Sequence, residues 1–305
     1  MIKKYTYKSV TWVDVENPTT EDVRDLVEEF SVNTSVAKDL QLPTYKEKIA
    51  MHKNYLYLVM HFPILRRGAD GDAKDQEVDF IVGKDFIITT RYESIDALER
   101  FQKTFEVNSI LHKEKMTDHA GYVFYYIIKE LYKAISDEVD SLNDSLERVE
   151  KSVFRGKEKE MVWSISNLNR DLLHLNHTVN SHKEIFETLP GLTLKFFGEE
   201  FADNCDKLLN EYYRIHDVME NSVDFLKELR DTNDSLLNTK QNQIMKTLTI
   251  LTFLALPFTV ITGFFQMNTI NTPFIGYTHD WPIIVSTEVI AVVVLLVLAR
   301  FKKWL

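Results

Sequence analysis

Residues 242–268 read NQIMKTLTILTFLALPFTVITGFFQMN, and this stretch decides the fold. After Lys246 no Asp, Glu, Lys or Arg occurs until Asp280. A helix rises about 1.5 Å per residue, so Thr247–Phe265 is long enough to cross the ~30 Å hydrocarbon core of a bilayer. Pro257 lies mid-span, a position tolerated in membrane helices when neighbours satisfy the freed carbonyl. A second apolar run follows from Trp281 to about Phe301, with Glu288 as its one ionisable residue before Arg300. Trp281 and Trp304 bracket it as interfacial aromatics. Lys246 precedes the first span, Arg300, Lys302 and Lys303 close the second, and the connecting loop, 266–280, has no Lys or Arg. The positive-inside rule then puts both termini in the cytoplasm and the loop outside a cell (inner or plasma) membrane.

Upstream of Lys246 the chain is charged throughout. A helical pattern begins near Glu199 and meets no proline until Pro257, so the first span, 199–265 with its stalk, is predicted to be one continuous helix. Before it, Gly121–Val153 and Lys157–Thr188 read as long antiparallel helices (116–198 overall), interrupted at Glu187-Thr-Leu-Pro-Gly-Leu192. Residues 1–115 read as a small α/β unit. Tyr55–Phe62 is strand-like, Val78–Thr90 gives two strands around a turn at Gly83, and Thr19 with Asp22 is placed to cap a helix carrying Val23, Leu26, Val27 and Phe30. The remaining segments are the external loop 266–280, the second span 281–301 and a basic tail 302–305. The fold class expected is an α+β cytosolic domain with long helices continuing into a two-helix transmembrane hairpin.

On a helical projection starting at Met245, residues Thr249, Thr252, Leu256, Thr259 and Gly263 fall within about 40° of one line. Asn242, Asn238, Ser235, Asp234 and Asp231 continue it below the membrane. The opposite face is Leu251, Leu254, Phe258, Ile261 and Phe265. Hydroxyls in hydrocarbon belong against another helix, on a water-filled path, or on their own backbone carbonyls. Their continuity with the amides and acids below favours a pore lining, and one stripe encloses a pore only when several identical chains surround an axis. Glu288, about seven residues into the second span, is expected to pair with polar groups of the first span or to reach the outer interface.

The chain has 305 residues and a formal net charge of −10, which argues against nucleic acid as a partner. The single cysteine, Cys205, permits no intramolecular disulfide, and the N-terminus has no apolar run of the signal-peptide type. There is no Gly-rich phosphate loop and no nucleophile–base constellation, so no enzyme and no organic cofactor is expected. His174, His177 and His182 match no zinc spacing and are expected to pack between helices.

The run 242–250, then Pro257, Thr259, Gly263, Gln266-Met267-Asn268 and the terminal Phe301-Lys-Lys-Trp-Leu305, resembles the CorA magnesium transporters, as do Trp12–Pro18 and Val78–Gly83. The family's Gly-Met-Asn is here Gln266-Met267-Asn268. The resemblance implies a funnel-shaped homopentamer of identical subunits in a lipid bilayer, with Mg²⁺ as both the transported and the regulatory ion. Asn268 would be the entry filter, with Gln266 and Met267 beside it. Asn242, Met245, Leu248, Thr249, Thr252, Leu256, Thr259 and Gly263 would line the pore, Met245, Leu248 and Leu256 as apolar constrictions. Between Glu199 and Asn242 acidic residues outnumber basic ones by eleven to five, and Asp203 and Asp206 are the candidates for cytosolic metal sensing. Gln266 in place of glycine keeps Co²⁺, Ni²⁺ or Zn²⁺ open as cargo, whether as a broad divalent or a zinc transporter. A non-conducting membrane-anchored scaffold is the alternative of a different class.

Overall fold

The computed structural model of the chain describes residues 2–64, 74–111, 119–267, 276 and 278–301. Contacts divide it into two units, Met1–Arg230 and Asp231–Leu305.

The first unit is built on a six-stranded sheet: β1 (Ile2–Tyr7), β2 (Val10–Glu16), β3 (Lys48–Met51), β4 (Tyr55–Ile64), β5 (Lys74–Gly83) and β6 (Phe86–Arg91). Their spatial order is β1-β2-β6-β5-β4-β3. Among the described residues only the β2–β6 pair is parallel. The central strands alternate with period two. Val13 and Val15 of β2, Ile81 of β5 and Ile88 of β6 face α1 (Thr20–Phe30) and α2 (Thr34–Asp39), where they bury Val23, Leu26, Val36 and Leu40. Trp12 and Phe80 face the other way, onto α3 (Asp96–Leu111) and α4 (Ala120–Phe154). Trp12 packs on Phe101 at 5.2 Å between ring centroids, and Phe80 meets Phe124 edge-on at 5.4 Å.

The expected cap is present. Thr19 accepts from the Asp22 amide at 3.2 Å, and the Asp22 carboxylate accepts from the Thr19 amide at 3.0 Å. The β5–β6 turn needs glycine at 83 for space, since a Cβ there would lie 2.4 Å from the Phe86 ring.

The even face of β2 also carries a charge. Asp14 is buried, and its carboxylate accepts from Arg91 Nη2 at 3.0 Å, Gln102 Nε2 at 2.7 Å and Thr89 Oγ1 at 2.7 Å. Trp12 Nε1 donates to Thr89 Oγ1 at 3.0 Å. This set ties the parallel β2–β6 pair to α3.

Beyond α4 come α5 (Glu158–Ser181) and α6 (Lys183–Phe197). The expected interruption at 187–192 is corrected here: Pro190 lies inside α6, and the chain breaks at His182 instead. Proline in a helix interior costs about 3 kcal/mol, but α6 buries Ile185, Phe186, Leu189 and Thr193, and that burial outweighs it. The break is fixed from outside the helix. His182 is fully buried, with Tyr132 Oη donating to its Nδ1 at 2.7 Å and its Nε2 donating to the His61 carbonyl at 2.7 Å. Burial pushes this imidazole down to a pKa of about 4, so it is neutral and fills both roles. His182 is therefore an interhelical packing residue.

Helix α7 (Glu199–Phe265) is a single helix of 67 residues and contains Pro257. Helix α8 (Asp280–Phe301) has 22 residues. The Asp280 side chain accepts from the Trp281 amide at 2.7 Å at its start. The basic tail 302–305, with Trp304, lies outside the described residues.

Candidate ion-conduction site

The most apolar 18-residue window of α7 has mean hydropathy 2.0 and none of it is buried within the chain; that of α8 has mean hydropathy 2.6 and is 6% buried. Leu251, Leu256, Phe264, Ile290 and Val297 are all exposed. An unbroken apolar surface on two helices has no place in water and requires lipid or further protein around it.

The threonines of α7 sort into three directions. On the line through Met245, Thr249 donates to the Met245 carbonyl at 2.8 Å, Thr252 to Leu248 at 2.9 Å and Thr259 to Ala255 at 3.3 Å. Thr262 lies about 100° from that line; its Oγ1 is 2.6 Å from its own i−4 carbonyl, Phe258, and 2.8 Å from Glu288 Oε1 on α8. Glu288 thus pairs with a polar group of the first span, one of the two outcomes expected for it. Thr247 lies on the far side and bonds the Gln243 carbonyl at 3.0 Å.

The backbone bonding of Thr249, Thr252 and Thr259 settles their chemistry. Each hydroxyl has one proton and two acceptor lone pairs. The hydroxyls thus take the own-backbone bonds named above as one alternative, and with the proton on the i−4 carbonyl each oxygen keeps lone pairs able to accept. The stripe is a ladder of uncharged acceptors, suited to water molecules whose hydrogens point outward from a cation.

Asn242, Met245, Leu248 and Leu256 are likewise exposed on α7. Gly263 ends the stripe, and a Cβ built there would meet nothing within 4 Å. Nothing in the chain's own packing requires glycine at that point. Gln266 donates its amide to the Thr262 carbonyl at 3.0 Å and Met267 to the Phe264 carbonyl at 3.3 Å, so the helical bonding runs on past Phe265. Gln266 is not among the positive-φ residues; the backbone at this position is one that glutamine adopts without strain. Asn268, the expected filter, lies outside the described residues. Asp203 and Asp206 are exposed on the first part of α7, and Lys207 bonds Asn204 Oδ1 at 3.2 Å between them and the next turn. Among the described residues no three His, Cys, Asp or Glu side chains converge on a point that would hold a metal.

Sequence reasoning missed a polar cluster in the first unit. His61 of β4 lies 3.2 Å from Glu47 and 3.6 Å from Glu77, with its Nε2 donating to the Thr44 carbonyl at 2.8 Å. Burial opposes a charge on His61, but the hydrogen bonds with Glu47 and Glu77 outweigh it and raise the pKa to about 10. Glu47 feels the converse: burial would raise it, yet His61 and Ser181 hold it at about 2. The only signal was the β4–β5 register that sets His61 opposite Glu77, and register is not visible in one sequence.

A prediction follows for alkaline pH. A histidine raised from 6.5 to about 10 on folding contributes stability fully below pH 6.5 and loses it as pH rises through about 10. Thermal unfolding of the detergent-solubilised chain should fall across that window. His61→Leu should cost about 3 kcal/mol below it, by stranding the two carboxylates, and should flatten the dependence. An equally steep alkaline loss in His61→Leu would assign the effect to other groups.

A mixed α/β sheet domain and two apolar helices left unburied, one of them the far end of a 67-residue helix, are the features of a membrane-anchored class of protein. The profile of the CorA-like Mg²⁺ transporter proteins matches residues 7–303, and the chain belongs to that family. It is 24% identical over 300 residues to the cobalt/magnesium transport protein CorA of Thermotoga maritima, covering 97% of this chain and 83% of that one. It is 21% identical over 299 residues to the protein of the same name from Methanocaldococcus jannaschii, covering 96% and 91%. The complete structure of the CorA magnesium transporter from Methanocaldococcus jannaschii superposes with a TM-score of 0.83 at 19% identity, over 99% of this chain and 94% of that one.

Proposed function

We propose that five copies of this chain surround a pore through which hydrated Mg²⁺ enters the cell, with the membrane part of α7 innermost and α8 outside it. The observation that carries this is the acceptor ladder of Thr249, Thr252 and Thr259 on an otherwise unburied apolar helix. Mg²⁺ gives up its water reluctantly. A path that offers neutral oxygen acceptors to the ion's water shell lets it pass without stripping it and without the deep well that a ring of carboxylates would create. Met245, Leu248 and Leu256 supply apolar levels along the same path, where a narrow state would exclude water and close the channel. Both termini are cytoplasmic, by the distribution of Lys and Arg around the spans.

At the outer end, amide groups of Asn268 form the entry filter, and Gln266 adds a second ring of amides beside it. The test is Mg²⁺ entry into liposomes under an inward gradient and inside-negative potential. Wild type should conduct and Asn268→Ala should not; a folded oligomer that admits no Mg²⁺ would refute the channel. The second reading, a broader divalent or zinc selectivity, is favoured by Gln266. Gln266→Gly in the same liposomes should narrow entry toward Mg²⁺ over Zn²⁺ and Ni²⁺, and identical ion preference in the two proteins would exclude Gln266 as a determinant.

Regulation follows from the acidic first part of α7. Mg²⁺ bound by Asp203 and Asp206 against a neighbouring copy holds the closed state, and its loss restores like-charge repulsion and opens the assembly. Mg²⁺ should therefore slow proteolysis of the α/β unit, and Asp203→Asn with Asp206→Asn should abolish that protection.

A further inference from the structure

We propose that Glu288 is a proton-binding site inside the membrane: it stands as the neutral carboxylic acid and donates its proton to Thr262, which passes the bond on to the α7 backbone. This rests on the membrane placement of α7 and α8 and does not depend on which ion the chain carries.

Three oxygens lie in series between the two helices. Thr262 Oγ1 is 2.6 Å from the Phe258 carbonyl oxygen and 2.8 Å from Glu288 Oε1. Both are O–H···O hydrogen-bond separations, so each contact needs a proton between its two oxygens. The hydroxyl has one proton, the carbonyl has none, and an ionised carboxylate has none. The second proton therefore comes from Glu288. With Glu288 ionised, one contact would always be left without a proton. If the hydroxyl turned to the carboxylate, the Thr262 oxygen and the Phe258 carbonyl would face each other as bare acceptors. If it stayed on Phe258, the carboxylate would face a lone pair.

The other threonines of the two spans fix the direction of the chain of bonds. Thr247, Thr249, Thr252 and Thr259 on α7 and Thr287 on α8 each donate to their own i−4 carbonyl, at distances between 2.8 and 3.3 Å. Thr262 makes the same bond, and at 2.6 Å it is the shortest of the set. A hydroxyl that accepts a proton on one side becomes a better donor on the other, which is the arrangement a neutral Glu288 produces.

The surroundings offer a carboxylate nothing to pair with. Glu288 is half-buried. Helix α7 has no charged residue and no His after Lys246, and α8 has none other than Glu288 between Asp280 and Arg300. Asp280 lies about 12 Å and Arg300 about 18 Å away along the α8 axis. Asp280 is engaged at the helix start, accepting from the Trp281 amide. An ionisable side chain in a span pairs with a partner or carries a proton path, and here the partner is a hydroxyl whose own proton is already committed. Each subunit thus holds one exchangeable proton at the contact between α7 and α8. Its release removes the donor and leaves a charge between the helices, so proton occupancy and that contact are linked.

The experiment is infrared difference spectroscopy of the full-length protein in liposomes at neutral pH, a readout that needs no ion transport. Wild type minus Glu288→Gln should show the carbonyl stretch of a protonated carboxyl, because the subtraction cancels every other acid. Glutamine keeps the size of the neutral acid and an N–H to donate to Thr262, so the helices should stay packed. Wild type minus Thr262→Val, a second variant that leaves Glu288 in place, should show the same band displaced, since the acid has lost its acceptor. Carboxylate stretches in place of the acid band in the first difference would overturn the proposal, as would an acid band that Thr262→Val leaves unmoved.

Discussion

Thr249→Val, Thr252→Val and Thr259→Val combined should reduce Mg²⁺ entry into liposomes by at least about ten-fold while the protein remains folded and assembled. Valine matches threonine in shape, and in a bilayer it removes only the oxygen. Each wild-type hydroxyl donates to its own backbone, so the side chains contribute little to holding helices together, and their loss should not loosen the assembly. What disappears is a set of acceptors repeated in every subunit. A net hydrogen bond is worth about 1 kcal/mol, and 1.4 kcal/mol is ten-fold in rate, so losing two such bonds to the ion's water shell already exceeds the expected effect. Each single variant should show a partial loss. Thr262→Val, off the stripe and bonded to Glu288, should instead act on stability and leave conduction largely intact. Unchanged Mg²⁺ entry in the triple variant would mean that the stripe does not line the ion's path.

The second large effect is on folding. Asp14→Ala should destabilise the α/β unit by about 3–5 kcal/mol, because removing one partner of a buried ion pair strands the other. Arg91 and Asp14 are each 1% exposed, and the remaining carboxylate near Arg91, Glu16 at 3.3 Å, is 37% exposed and too well solvated to replace Asp14. Thr89 and Gln102 lose their acceptor in the same step. Asp14→Asn keeps an oxygen in place and should cost less. Thermal unfolding followed by circular dichroism distinguishes the two variants. Equal, small losses would mean that water enters and solvates Arg91.

The sequence made the strongest periodic features legible and the tertiary ones not. Apolar stretches at 247–265 and 281–299 stand out because nothing charged interrupts them except Glu288, and the α1 cap was readable because Thr19 and Asp22 are three residues apart. Strands β4, β5 and β6 showed in β-branched and aromatic runs around Gly83. The break between α5 and α6 was misplaced because proline and glycine at 190–191 are the local breakers, whereas His182 interrupts the helix through partners 50 and 121 residues away in sequence. The Asp14–Arg91 network and the His61 cluster were invisible for the same reason: each joins residues that only sheet register brings together. The hydroxyl stripe was legible as periodicity, but that its protons are committed to the backbone, leaving lone pairs able to accept, is a matter of rotamer and came only from the structure.

Cys205 is fully buried in the first part of α7, and burial pushes its thiol up to about 12. At neutral pH it is protonated and shielded, hence inert to thiol reagents. The natural protein is therefore already a silent background for chemical labelling. A cysteine introduced at Thr252, Leu256 or Gly263 would be the one reactive thiol per subunit, and the order in which maleimides of increasing size reach these three levels would chart the width of the path directly, with the native cysteine left in place.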